Sequence, residues 1–181
     1  MTEDLAGQRI AVLATDGFEY AELAEPVAAL QGAGAETVVV SKQGGLIRGY
    51  NHSVKVGLVA VQATLHDARP DDFNGLVLPG GVANPDALRM DREAVAFVSA
   101  FVQAGKPIAA ICHAPWMLIE AGAVRGKRLT SWPSLKTDLT NAGAHWEDRA
   151  VVVDGRLVTS RNPGDIPVFN RQIIKSFAEA A

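Results

Sequence analysis

The sequence predicts one α/β domain built on a mostly parallel sheet with helices on both faces. Short, nearly continuous apolar runs alternate with segments of helical length. The runs lack the in/out alternation of a half-solvated antiparallel sheet, so both faces of each strand must be covered. The chain has 181 residues and is 48% hydrophobic but only 6% aromatic, which gives one core made mostly of Val, Ala, Leu and Ile.

The elements follow in order. Arg9 to Thr15 is a β-rich apolar run closed by the turn Asp16-Gly17, a buried central strand. A helix is expected over 18–31, with Leu23, Val27 and Leu30 on one face; Asp16 and Glu19 have the spacing of a capping box. Glu36 to Ser41 is the second strand. The stretch 44–61 carries Gly45, Gly49, Gly57 and the alternating Val54-Lys55-Val56, and reads as a β-excursion or hairpin. Phe73 to Leu78 is a strand ending in Pro79-Gly80-Gly81, and Asp91 to Ala104 is a helix with Val95, Phe97, Val98, Phe101 and Val102 as its apolar content. Pro107 to Cys112 is another apolar strand, followed by a helix from Trp116 that stops at Gly122. Strands are expected over 127–131, 151–153 and 156–160, and the last helix over 166–178 packs Val168, Phe169, Ile173, Ile174 and Phe177. No internal repeat or low-complexity segment interrupts the pattern.

Composition narrows the function classes. A net charge of -3 supplies no basic field for nucleic acid or an anionic membrane. No apolar run approaches the roughly 18 residues needed to cross a bilayer. The opening residues are acidic and polar where a secretory signal is basic and then apolar. The single cysteine forms neither an internal disulfide nor a cysteine-based zinc site. These features give a cytoplasmic expectation. No pair of histidines has metal-ligand spacing, and no cofactor motif is present, so neither metal nor cofactor is expected.

Sheets of this kind place function at the carboxyl ends of their strands. The candidates there are Asp16 to Glu19, Pro79 to Asp86, Cys112 to Trp116, and the loops after Ser131 and Ser160. Cys112 closes a strand just before the proline-started turn His113-Ala114-Pro115-Trp116. Backbone N–H groups at such an elbow lower a thiol pKa and can hold an oxyanion. The competing reading is a buried cysteine that acts as a small hydrophobe. His113 is the nearest base, with His145 the other distant partner to consider. Glu19 is either a helix cap or a carboxyl facing the thiol, and Asp86 either a cap near Pro85 or a second acid of the cleft. Gly80 and Gly81, with the His113 amide, are read as backbone donors; Trp116, Trp132 and Arg161 as pocket residues.

Three sequence blocks then add up: Val77-Leu78-Pro79-Gly80-Gly81, Gly105 to Pro115, and Ala121 to Lys127. With Thr130-Ser131-Trp132-Pro133, Asn141-Ala142-Gly143-Ala144, Val151 to Gly155 and Thr159 to Pro163, they resemble the PfpI family of intracellular proteases and amidases, in the class I glutamine-amidotransferase-like superfamily. The likeness spans roughly residues 8–180. It implies a flavodoxin-like three-layer sandwich, Cys112 as elbow nucleophile with His113 as partner, and Glu19 as the glutamate beside the cysteine. It also implies that Asp86 acts as the third member from a neighbouring subunit, hence a homodimer or higher homo-oligomer. The chain departs from the family pattern at Ala114, where many members carry glycine, and at Trp132, where tyrosine is frequent. The implied substrates are small carbonyl or amide compounds and glycated or peptide adducts, handled by a cysteine hydrolase of deglycase or peptidase type that protects against stress. The alternative is a redox-sensing or chaperone-like stress protein with a reactive cysteine but no turnover.

Overall fold

The computed structural model describes residues 4–180. Its elements are β1 (Arg9–Leu13), β2 (Phe18–Glu19), α1 (Tyr20–Gly32), β3 (Glu36–Ser41), β4 (Gly45–Asn51), β5 (Val54–Val61), β6 (Ala63–Thr64), β7 (Gly75–Leu78) and α2 (Ala83–Arg89). Then come α3 (Arg92–Gln103), β8 (Ile108–Ile111), α4 (Pro115–Glu120), β9 (Arg128–Leu129), α5 (Lys136–Asn141), β10 (His145–Trp146), β11 (Val151–Asp154), β12 (Leu157–Ser160) and α6 (Ile166–Ala178). Seven strands form the central sheet in the order β11-β12-β8-β7-β1-β3-β6. All neighbours are parallel except the β11–β12 hairpin at one edge.

The unbroken apolar strands are explained by the two cores they feed. Ala11, Leu13, Leu76, Leu78, Ile108 and Ala110 pack with Phe97 and Phe101 of α3 and Met117 and Leu118 of α4. The alternate residues Ile10, Val12, Val77, Ala109 and Ile111 pack with Leu23 and Leu30 of α1 and Phe169, Ile173 and Phe177 of α6. Each strand therefore buries successive side chains on opposite faces, which is why no polar alternation is visible. The result is the expected three-layer α/β sandwich. Among the described residues, no helix is long and apolar enough to cross a membrane.

Several boundaries differ from the sequence expectation. The first helix begins at Tyr20, because Phe18 and Glu19 pair in parallel with Gly49 and Tyr50 of β4. The capping box does not form: the Arg48 amide donates to Asp16 Oδ1 at 2.6 Å, and the Glu19 side chain bonds outside the helix. The 44–61 stretch is the hairpin β4–β5, an antiparallel pair that joins β2 in a small separate sheet. Strand β9 pairs with β10 outside the central sheet. Helix α5 was not expected, and α2 only as the helix that Asp86 would cap near Pro85. Helix α2 starts earlier, with Val82 at its cap and Asp86 inside it. Both are short, with apolar content too small to show a period. Helix α3 starts where expected, its Asp91 carboxylate accepting from the amides of Glu93 (2.9 Å) and Ala94 (3.2 Å).

From β1 the chain moves first to β3 on one side, and later to β7 and β8 on the other. That reversal opens a crevice at the carboxyl ends of β1 and β7. The segments entering it are the loop after β1, the Pro79-Gly80-Gly81 turn after β7 and the Cys112 elbow after β8.

Candidate active site

Cys112 follows β8 with φ +65°, the left-handed region that L side chains rarely adopt. The conformation is held from both sides. Its amide donates to the Ser160 carbonyl at 3.0 Å, and its carbonyl accepts from the Trp132 amide at 2.9 Å. The strained turn aims Sγ into a pocket of about 350 Å³ and puts it 3.1 Å from His113 Nδ1. When the thiol donates this bond, Nδ1 accepts and the ring carries its own proton on Nε2.

A carboxyl does stand beside the sulfur, but it belongs to Glu22 rather than Glu19. Glu22 is fully buried in the first turn of α1, close enough to Cys112 for each to affect the other's ionisation, and its Oε2 accepts from the Gly80 amide at 2.9 Å. Burial raises its pKa from 4.5 to about 8, so the carboxyl is protonated at neutral pH. Its Oε1 is buried without a protein partner. Glu19 lies on the pocket wall and accepts from the His52 amide at 2.9 Å. The Glu22 signal was present in the sequence: with Pro26 and Leu30 it forms the i, i+4, i+8 stripe that α1 buries.

The thiol shifts in the direction opposite to the one the elbow alone suggests. Burial is the largest cause, and the charge that Glu22 would carry when ionised adds to it; both push the Cys112 pKa up. The amides of Gly81 and His113 pull it down. With Glu22 protonated, the charge repulsion is gone and the carboxyl becomes a donor. Helix α4 has only six residues, too few for a strong dipole. Cys112 is therefore a thiol at rest, in contact with an imidazole. Burial lowers the His113 pKa, which keeps that base neutral and able to accept a proton.

The backbone donors divide unequally. The amides of Gly81 and His113 lie close enough to the sulfur to draw its pKa down, whereas the Gly80 amide is already bound to Glu22 and is unavailable to an oxyanion. The turn that presents them is fixed by Asn84, a residue the sequence reading passed over. Its Nδ2 donates to the carbonyls of Pro79 (2.9 Å) and Gly80 (3.0 Å), and its Oδ1 accepts from the Thr15 amide at 2.8 Å. Gly80 can carry no side chain, since a Cβ there would lie 2.5 Å from Glu22 Oε2 and 2.7 Å from Cys112 Cβ.

Trp132 lines the pocket and stacks on His113, with centroids 5.7 Å apart and planes at 23°. Trp116 meets His113 edge-on at 5.3 Å from outside the pocket, its indole N–H donating to Asp138. Arg161 is not a pocket residue either: Asp165 and Asp148 engage its guanidinium at 2.7 to 3.1 Å. Pro163, Val82, His52 and Ser53 complete the wall instead. Asp86 is exposed on α2, its side chain without a hydrogen bond or ion pair among the described residues, and is not brought to His113 within the chain. His145 is exposed on β10 and takes no part in the pocket.

The Cys112 elbow, its adjacent histidine and the Pro-Gly-Gly turn all lie within residues 8–176, which match the DJ-1/PfpI family pattern. The chain belongs to the DJ-1/PfpI family. Among its relatives, a deglycase of Pyrococcus abyssi is 42% identical over 168 residues, covering 92% of this chain and 98% of the relative. General stress protein 18 of Bacillus subtilis is 43% identical over 168 residues, covering 92% and 95%. The crystal structure of Drosophila melanogaster DJ-1beta superimposes with a TM-score of 0.83 at 30% identity, covering 96% of this chain and 95% of that one. Membership of the DJ-1/PfpI family accounts for both the sandwich and the position of its elbow.

Proposed function

We propose that this DJ-1/PfpI member is a cysteine-dependent hydrolase of carbonyl and amide adducts, of the deglycase or amidase type. The observation that carries the reading is the 3.1 Å contact between Cys112 Sγ and a neutral His113 Nδ1 on a left-handed elbow facing a pocket. The names of the Pyrococcus and Bacillus relatives support a deglycase chemistry and a protective role under stress.

On an amide, Sγ forms a bond to the carbonyl carbon while its proton passes to His113 Nδ1. The C=O π pair moves onto oxygen, where the amides of Gly81 and His113 are the available donors. Collapse breaks the C–N bond, His113 returns the proton to the amine, and water cleaves the thioester to restore the thiol. On a carbinolamine formed from an amine and a 2-oxoaldehyde, sulfur replaces nitrogen at the carbinol carbon and the amine leaves with the same proton. Water then releases the hydrated aldehyde. Neutral Glu22 donates to the sulfur while negative charge resides there.

A homo-oligomer belongs to this reading, with Asp86 of a second copy orienting His113. It is supported by the exposed, unpaired Asp86 carboxylate and by its position after the Pro-Gly-Gly turn. A cytoplasmic setting, supported by the single free thiol, belongs to it as well. The test is a panel of methylglyoxal adducts and small amides assayed with wild type and Cys112→Ala. Wild type is expected to turn over at least one class and the variant none; equal rates for the two proteins would end the proposal.

A further inference from the structure

The loop after β1 is tied to the β4–β5 hairpin from Asp16 to Glu19. The Arg48 amide donates to Asp16 Oδ1 at 2.6 Å, and the Gly17 amide donates to the Arg48 carbonyl at 2.9 Å. Phe18 and Glu19 pair with β4, and the His52 amide donates to Glu19 Oε2 at 2.9 Å. The last bond closes on an unusual residue. His52 has φ +53°, and among the described residues the only other non-glycine with positive φ is Cys112. An L side chain is disfavoured in that region, so a bond that holds the turn there matters. The buried Glu19 carboxylate accepts that bond.

His52 and Ser53 are exposed, yet they line the same pocket whose floor is the buried set Cys112, His113 and Glu22. They therefore stand at its mouth. A pocket of about 350 Å³ takes an adduct and the side chain that bears it, not a folded polypeptide. Whatever carries the adduct must remain outside, against the mouth. There the His52 imidazole and Ser53 hydroxyl supply donors and acceptors suited to the backbone flanking a modified side chain.

We propose that Glu19 is a positioning residue that fixes the His52–Ser53 turn as a carrier-recognising rim, selecting adducts borne on polypeptide over free small adducts. The proposal rests on the hydrolase reading above and deepens it.

The test compares KM and kcat for a methylglyoxal-treated polypeptide and for the same adduct on an N-acetyl amino acid. Glu19→Ala is expected to raise the polypeptide KM relative to the small-adduct KM by about fivefold or more, the loss falling on KM rather than kcat. Glu19→Gln keeps an acceptor oxygen for the His52 amide and restores the wild-type ratio. Hydrogen exchange at the His52 amide is expected to be at least about tenfold faster in Glu19→Ala than in wild type or Glu19→Gln. A kcat loss shared by both substrates and by both variants would place Glu19 in the chemistry and overturn the proposal. So would an unaltered KM ratio once the His52 amide is released. Binding of the treated polypeptide to Cys112→Ala, with and without Glu19→Ala, reads the rim independently of turnover. Binding weaker by about fivefold supports the rim, and equal binding overturns it even if no hydrolysis is found.

Discussion

Cys112 Sγ and His113 Nδ1 lie 3.1 Å apart although the two residues are neighbours in the chain. In a strand, adjacent side chains point to opposite faces and could not meet. The left-handed φ of Cys112 turns the backbone sharply enough to bring both into one pocket. Thiol and imidazole are thus joined by backbone strain, and the surrounding bonds to Ser160 and Trp132 keep that strain in place.

The strain at Cys112 is measurable. Cys112→Gly and Cys112→Ala both delete the thiol, but only glycine relaxes at φ +65°. Cys112→Gly is expected to be more stable than Cys112→Ala by about 1 kcal/mol, after allowing for the extra freedom of glycine in the unfolded chain. Urea unfolding of the two variants gives the difference, and a more stable alanine variant would show that the turn is relaxed.

Glu22 sets a pH dependence of stability. Its folded pKa, about 8, lies above its ordinary 4.5, so the native state holds a proton that the unfolded chain releases. The stability this contributes is complete below about pH 4.5 and is lost as pH rises towards 8, by at most about 1.4 kcal/mol per pH unit. Glu22→Gln should remove that slope, which denaturant midpoints across the range will show. Turnover by wild type should fall as pH passes about 8, where ionised Glu22 opposes negative charge on sulfur; Glu22→Gln should retain activity there.

Gly80→Ala tests the close approach of three elements. The added Cβ would sit 2.5 Å from Glu22 Oε2, 2.7 Å from Cys112 Cβ and 2.8 Å from the Ile111 carbonyl oxygen. A loss of about 2–3 kcal/mol is expected, with turnover down by about hundredfold from the displaced sulfur. Gly122→Ala is the contrast: Gly122 has φ +69°, a strain Gly80 lacks, but open space around it, and the change should cost about 1 kcal/mol without touching activity. Thermal unfolding and kcat/KM for the pair separate crowding at the site from backbone strain.

Trp132 covers one face of the His113 imidazole. Trp132→Ala should lower kcat/KM by about tenfold, and Trp132→Tyr, which keeps an aromatic face on His113, should lie much closer to wild type. Equal losses in the two variants would remove the stacking from the account.

The sheet was legible because burial on both faces leaves an unmistakable mark on a strand; Val12, Val77 and Ala109 feed one core while their neighbours feed the other. The elbow was legible because cysteine, histidine and proline followed one another at a strand end. Glu19 was placed beside the sulfur because it lies in the loop at the carboxyl end of the first strand and matches the family glutamate, while Glu22 falls inside the helix that follows. The burial that assigns the second glutamate to the sulfur depends on where α1 docks. Asn84 and the His52–Ser53 turn were out of reach for a similar reason. Their roles come from contacts 4 to 69 residues away in sequence, which leave no local pattern. The direction of the thiol shift was also missed, since desolvation is a property of the packed core and not of the elbow alone.

Intact-protein mass spectrometry of acid-quenched turnover tests the central claim most directly. During processing of a methylglyoxal adduct or small amide, one substrate-derived group per chain should appear transiently and map to the Cys112 sulfur. Sustained turnover with Cys112 never modified, and persisting in Cys112→Ala, would contradict the account.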